Sequence, residues 1–185
     1  MWFSWIFANI YYSYRKTFII LFQNKLGLIY IVMTHHFSTI CDIKSSSTVQ
    51  DQAFASIDKA IEIFKRQNDM GHLAEAIMTK SFINPRLSKH FAEKEKMLMT
   101  AQELCAKTYG EKHMLMLRLY LNIGILYEDN RNFETAYDYF VKWHDTCMEV
   151  LGPSHPKTKR AQDTLKEPAY MRIAGMREQL AAGTA

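Results

Sequence analysis

A short motif occurs twice in this chain, and its two copies are 42 residues apart. Tyr-Gly-Glu-Lys-His at 109–113 recurs as Leu-Gly-Pro-Ser-His at 151–155, and Cys105 recurs as Cys147 in the same frame. A fixed period of about 20 to 50 residues is typical of repeat proteins, in which each unit buries its apolar face against the next. Because such folds usually serve as binding surfaces, the period predicts a protein that holds partners rather than one that performs chemistry.

The composition allows a folded domain or a few stacked repeats. The chain has 185 residues, 48% of them hydrophobic, and a formal net charge of +4. Residues 1–47 hold four basic side chains and one acidic one, whereas the remaining 19 basic and 18 acidic side chains nearly balance. A nucleic-acid-binding domain would need a basic stripe on its folded part. The predicted partners therefore do not include nucleic acid.

The three cysteines are too few and too scattered for a disulfide framework. Cys105 and Cys147 fall among apolar residues in helical patterns, where a free cysteine behaves as a small buried hydrophobe. A reducing compartment is the default for such a protein. We therefore expect a cytoplasmic location.

Residues 1–47 differ in composition from the rest of the chain. They are rich in aromatic residues and contain no acid before Asp42. A transmembrane helix needs about 20 apolar residues, and here such a span would have to bury Arg15 and Lys16, or Lys25. An interfacial anchor formed by residues 1–33 is one alternative, with a membrane-associated location. The interpretation that we favour is a mispredicted gene segment joined to the true coding sequence near Thr48.

From residue 48 onward, apolar residues recur at helical spacing. The predicted repeat domain covers residues 48–173, and the Ala/Gly-rich residues 174–185 are expected to fray. Pro168 is expected to end the last helix. The predicted helices are Val49–Gln67, His72–Ile83, Lys89–Thr108, Met114–Glu128, Phe133–Val150 and Lys157–Lys166.

The best-patterned stretch resembles a tetratricopeptide repeat. The residues in that family's spaced positions are Tyr120, Ile123, Gly124, Tyr127, Ala136 and Phe140. The 42-residue spacing with a Gly-x-x-His turn resembles the longer repeats of kinesin light chains. The resemblance implies an all-α fold, an α-solenoid of stacked antiparallel helix pairs, with Gly124 and Ala136 small where two helices cross. It is weaker over residues 48–92, where the same frame places Phe82 and Pro85 at the positions of Gly124 and Tyr127.

The sequence lacks the common motifs of catalysis and phosphate binding. It contains no glycine-rich phosphate loop, no Gly-x-Ser-x-Gly and no His-Glu-x-x-His. His113 and His155 recur at successive turns, where capping or packing is the expected role. His35 and His36 have no second ligand pair at metal-binding spacing. We therefore predict no catalytic residue, no metal and no cofactor.

The resemblance also implies a binding surface, because the first helix of each tetratricopeptide unit lines a concave groove. Carried over by position, the groove residues are Arg118, Leu121, Asn122, Ile125 and Glu128 from the best unit, and Arg160 and Asp163 from the last helix. This set mixes charge with aliphatic side chains and lacks the Lys and Asn cluster of chaperone-binding members. It indicates a peptide with one apolar and one charged anchor.

The predicted function is therefore non-enzymatic docking of a protein or peptide, as a scaffold or adaptor in a motor, cytoskeletal or ciliary assembly. The small number of repeats also predicts self-association through an exposed terminal repeat, because three or more units are normally needed for stability. A membrane-tethered adaptor anchored by residues 1–33 is the first alternative. A helical region of a larger enzyme is the second.

Overall fold

The structure, a computed structural model, describes residues 26–28, 31, 47–83 and 91–183. These residues form helices joined by turns, and no strand occurs among them, so the predicted all-α class is confirmed. The chain divides into two compact units, residues 1–84 and 85–185. The predicted repeat domain, residues 48–173, has parts in both units. Almost all of the segment 1–47 lies outside the described residues, so its alternative interpretations stay predictions.

Residues 47–83 of the first unit form two packed helices, α1 (Ser47–Gln67) and α2 (Met70–Ile83). One face of α1 is fully buried through residues three and four positions apart, among them Ile57 and Phe64. The helix ends where Asn68 takes a positive φ of 57°. The next helix begins at once, because the Asp69 carboxylate accepts a hydrogen bond from the His72 backbone N–H at 3.1 Å. No helix in the described part of the chain has the length and hydropathy needed to cross a bilayer.

Among the described residues of the second unit there are five helices, and the starts of four of them recur at the period of the sequence. They are α3 (Phe91–Tyr109), α4 (Met114–Asp129), α5 (Phe133–Leu151), α6 (Pro156–Leu165) and α7 (Pro168–Gly183). Each packs on the next, and α5 also packs on α7. Helices α3 and α5 have 19 residues each and begin 42 residues apart, as do α4 and α6. The recurrence in sequence is therefore a recurrence of helices.

The two copies of the turn motif have matching geometry. Gly110 and Gly152 have φ values of 79° and 81°, a conformation that favours glycine after a helix. The next helix then begins with a histidine cap, because Nδ1 of His113 accepts the Leu115 N–H at 3.2 Å. Nδ1 of His155 accepts the Lys157 N–H at 3.1 Å. The predicted capping role of both histidines is confirmed.

The crossing of α4 and α5 is organised around one aromatic ring. Phe140 and Ala136 of α5 are 1% and 0% exposed. A Cβ added to Gly124 of α4 would lie 2.6 Å from Cε1 of Phe140. Gly124 and Ala136 are both buried as expected, but the group that requires glycine at position 124 is the Phe140 ring. Tyr120 and Ile123 are buried beside it, and Tyr127 is half-buried.

The end of the chain differs from the sequence-based expectation. Helix α6 ends before Pro168 as expected, but it is not the last helix: Pro168 begins α7, and residues 174–183, expected to fray, continue α7 as helix. In the 42-residue frame Pro168 stands where the buried Leu126 lies, inside the last turn of α4. A proline in a helix interior removes a hydrogen bond and clashes with the preceding turn, so α6 ends after 10 residues. Proline is tolerated in the first turn of a helix, and α7 begins there.

We predict that Gly124→Ala destabilises the protein, whereas Gly175→Ala does not. The first methyl group would meet the Phe140 ring, and overpacking of this kind costs about 1–3 kcal/mol. The second would meet nothing within 4 Å, and alanine in a helix interior is favoured over glycine by about 1 kcal/mol. Urea unfolding monitored by circular dichroism measures both. Equal effects of the two variants would contradict the packing described at position 124.

We also predict that His155→Ala lowers the free energy of unfolding by about 1 kcal/mol, because the Lys157 N–H loses its capping acceptor. His155→Asn is the matched control, since its side-chain oxygen can accept the same hydrogen bond and should retain most of the stability. Urea midpoints of the three proteins provide the comparison. An alanine variant as stable as the parent would show that the cap contributes nothing.

Candidate partner-binding surface

Helix α4 has one strip of surface that its neighbours leave open. Eight of its 16 residues are buried against α3 and α5. Arg118, Leu121, Asn122 and Ile125 follow one another at spacings of one, three and four, and so lie on one side of the helix. Arg118 is exposed and the other three are half-buried. These four of the seven predicted groove residues therefore lie together, and we call them the α4 strip.

Glu128 continues the α4 strip by position, but its carboxylate has a partner within the chain. The hydroxyl of Tyr170 in α7 donates to Oε1 of Glu128 at 2.7 Å. Tyr170 itself is fully buried, and its ring packs edge-on against Phe140 at 5.3 Å between centroids. The C-terminal end of the α4 strip is therefore bounded by α7. That boundary was not predicted, since α7 was not.

Arg160 and Asp163 are on α6 and are exposed. The carboxylate of Asp163 lies 3.1 Å from Nζ of Lys166 in the following turn. Helix α6 packs on α5 and α7, and among the described residues it makes no extensive contact with α4. The structure thus brings five of the predicted residues onto one helix and places these two on another. A groove shared by both sets stays a prediction.

A second tyrosine–glutamate hydrogen bond holds the other side of α4. The hydroxyl of Tyr127 donates to Oε1 of Glu95 in α3. Its ring also stacks on Tyr139 of α5 with centroids 5.8 Å apart. Burial, followed by the hydrogen bond to Glu95, raises the pKa of Tyr127. Helix α4 is therefore tied to α3 and to α7 by hydroxyl–carboxylate bonds at its C-terminal end.

Sequence reasoning missed a cleft of about 1000 Å³ between the α4–α5 turn and α7. Phe133, Ile173 and Met176 give it apolar walls. Its charged lining residues are Arg131, Arg172 and Glu134, so it carries both signs of charge. The signal that could have found it is Pro168, which suits the first turn of a helix as well as the end of one. If Pro168 had been interpreted as the start of α7, the sequence would have predicted a helix that can pack beside the polar turn before α5.

The described residues contain no cluster of three or more histidine, cysteine or acidic side chains that could hold a metal ion. Cys105 and Cys147 are fully buried in equivalent positions of α3 and α5. Burial raises the pKa of the Cys105 thiol to about 11. A thiol that stays protonated at neutral pH is a poor nucleophile, so both residues act as core packing, as predicted.

Comparison with known proteins adds no family to this description: no protein-family model matches the chain, and no curated protein matches it. The class is therefore defined by the fold itself. It is an all-α protein in whose second unit two helix starts, a turn glycine and a histidine cap recur after 42 residues.

We predict that the protein loses stability as the pH rises above about 10, where unfolded tyrosines ionise. Burial raises the pKa of Tyr120 to about 12 and also raises those of Tyr127, Tyr139 and Tyr170. The folded state therefore keeps protons that the unfolded state loses, and the free energy of unfolding falls with increasing pH. Urea unfolding at pH values from neutral to strongly alkaline measures the slope.

Two phenylalanine variants test how much the Tyr170 hydroxyl contributes to stability and to its decrease at alkaline pH. Tyr170→Phe removes the hydroxyl bonded to Glu128 and should lower stability by about 1–2 kcal/mol, with a weaker alkaline dependence. Tyr137→Phe is the control, because its ring stacks on Tyr170 at 6.3 Å and the substitution keeps that ring. Equal losses in the two variants would exclude a contribution from the Tyr170–Glu128 bond.

Proposed function

We propose that this protein is a non-enzymatic scaffold or adaptor of the tetratricopeptide type that binds a peptide segment of a protein partner on the α4 strip. In this proposal α4 and α5 form one helix pair of an α-solenoid, and α6 and α7 form the next. The support is the 42-residue recurrence of helix bounds, turn glycines and histidine caps. The consecutive packing of the helices is compatible with such a stack.

The single observation that carries the proposal is an open strip on a helix that is otherwise fixed. The opposite side of α4 is buried, and the helix is tied to α3 by Tyr127–Glu95 and to α7 by Tyr170–Glu128. A surface that is rigid before binding loses little conformational entropy when a peptide docks. The α4 strip therefore has the preorganisation that a peptide-binding surface requires.

The side chains of the strip indicate the chemistry of the peptide. Leu121 and Ile125 are half-buried aliphatics, one helical turn apart, that can receive an apolar side chain. The Asn122 amide between them can donate to and accept from a peptide backbone. The Arg118 guanidinium adds positive charge at one end and favours an acidic side chain there. The proposed peptide thus carries one apolar anchor and one acidic anchor.

The proposed setting is the cytoplasm, within a motor, cytoskeletal or ciliary assembly. This part rests on the resemblance of the 42-residue repeat and its Gly-x-x-His turn to kinesin light chains, which is an analogy between folds rather than a property of the α4 strip. The peptide chemistry stands independently of that setting.

The proposal is tested by selecting binders from a displayed library of random peptides with the full chain as bait. The selected peptides should pair an acidic with an apolar residue. Arg118→Glu combined with Asn122→Ala should weaken their binding by about tenfold or more, because a charged hydrogen bond is lost and the charge is reversed. Fluorescence anisotropy with labelled peptides measures the dissociation constants.

Lys96→Glu is the matched control, because Lys96 is an exposed base on α3 and not on α4. It should leave the affinity unchanged. If the selected peptides bind the Arg118/Asn122 variant as tightly as they bind the parent protein, the α4 strip is not the binding site. If the selection enriches no peptide, the proposed function is wrong.

A further inference from the structure

The cleft beside α7 is lined by an arginine whose backbone conformation suits a glycine. Among the described residues, a positive φ occurs at Asn68, Gly110, Arg131 and Gly152. Glycine and asparagine tolerate this conformation, whereas residues with long side chains rarely adopt it. Arg131 has a φ of 62°, and its N–H donates to the Glu128 carbonyl at 2.9 Å in the turn after α4. An unfavourable conformation that is kept in this way indicates a function for the side chain.

The same cleft is lined by a glycine at a position where a helix favours other residues. Gly175 lies inside α7, and a Cβ there would meet nothing within 4 Å. Glycine is less stable than alanine in a helix interior, and no contact among the described residues requires it, unlike Gly124 beside Phe140. Because Gly175 is a lining residue, its missing side chain keeps the cleft wide. Arg131 and Gly175 thus both lower local stability where they shape this cleft.

The two arginines of the cleft have no partner within the described residues. The side chains of Arg131 and Arg172 are exposed and form no ion pair or hydrogen bond there. Glu134, the acidic lining residue, lies in the first turn of α5, where the helix dipole favours an acid. The hydrogen bond to Asp138, and then the charge of Glu134, raise the pKa of Arg177. Glu134 therefore has favourable charges near it within the chain, and the two arginines do not.

The other lining residues indicate what accompanies the negative charge of a ligand. Phe133, Ile173 and Met176 form apolar walls that can receive an apolar side chain. Asn130 and Gln179 are exposed amides at the cleft, and an amide side chain can both donate to and accept from a peptide backbone. Carboxylates, an apolar side chain and backbone amides occur together in an acidic peptide segment.

We propose that the cleft between α7 and the α4–α5 turn is a second binding site, which takes an acidic peptide segment of a protein partner. Arg131 and Arg172 receive its carboxylates, and an apolar side chain of the peptide lies against the apolar walls. Gly175 leaves room for the peptide beside α7. The cleft shares no residue with the α4 strip, so this site does not depend on the proposed function.

A displayed library of random peptides tests the proposal, when it is selected on the full chain and counter-selected on its Gly175→Leu variant. Leucine favours a helix more than glycine does, and its side chain takes up space in the cleft. The variant should therefore resist urea at least as well as the parent protein. The retained peptides should combine acidic residues with an apolar one, and fluorescence anisotropy should show binding to the variant that is about tenfold weaker or more. They should bind the Arg118/Asn122 variant as tightly as the parent.

The two arginines are tested separately with the retained peptides. Arg131→Gly should raise the urea midpoint, because glycine suits a φ of 62° after a helix, and yet weaken peptide binding by about tenfold or more. Arg172→Gln should weaken binding similarly and leave the urea midpoint unchanged. Arg66→Gln is the control, because Arg66 is an exposed arginine on α1 that does not line the cleft; it should leave the affinity unchanged.

Three results would overturn the proposal. In the first, every peptide enriched on the parent still binds the Gly175→Leu variant, and binding that depends on Arg118 and Asn122 would then support the α4 strip alone. In the second, the retained peptides lack acidic residues. In the third, the Arg131→Gly and Arg172→Gln variants bind the retained peptides as tightly as the parent does. Circular dichroism checks that each variant keeps its helical content.

Discussion

The second unit depends on the contact between the Phe140 ring and the backbone of Gly124. This contact sets the distance at which α5 crosses α4, because no side chain fits between them. The same ring lies against Tyr170 of α7, with centroids 5.3 Å apart. One fully buried aromatic residue thus joins three helices. A shift of the Phe140 ring would change the distance between α4 and α5 and also the position of α7, because close-packed interiors transmit such shifts.

The position of the α4 strip follows from that packing. Because α4 buries its opposite side against its neighbours, the strip that includes Arg118 and Asn122 is the less buried side of the helix. The hydroxyl–carboxylate bonds of Tyr127 and Tyr170 then fix the C-terminal end of the helix. Partly buried hydrogen bonds to charged groups are worth more than neutral ones. They hold the C-terminal end of α4 to α3 and to α7.

The local features of the chain were predictable where a residue has a strong backbone preference. Gly110 and Gly152 take positive φ because other residues resist it, and His113 and His155 cap the helices that follow. Pro168 was assigned only one of its two roles, since proline suits both the end of a helix and the first turn of the next. The cleft beside α7 was missed for the same reason.

The sequence by itself determined the period and, within two residues, the bounds of six of the seven described helices, because these follow from spacing along one chain. It indicated the residues of the α4 strip only through the resemblance to tetratricopeptide repeats. Tertiary structure decided that Phe140, rather than Ala136, requires glycine at position 124. It also decided that Glu128 bonds to Tyr170, and that α7 forms a cleft with the α4–α5 turn. These are contacts between helices distant in sequence. They depend on helix length and crossing geometry, which no local preference encodes.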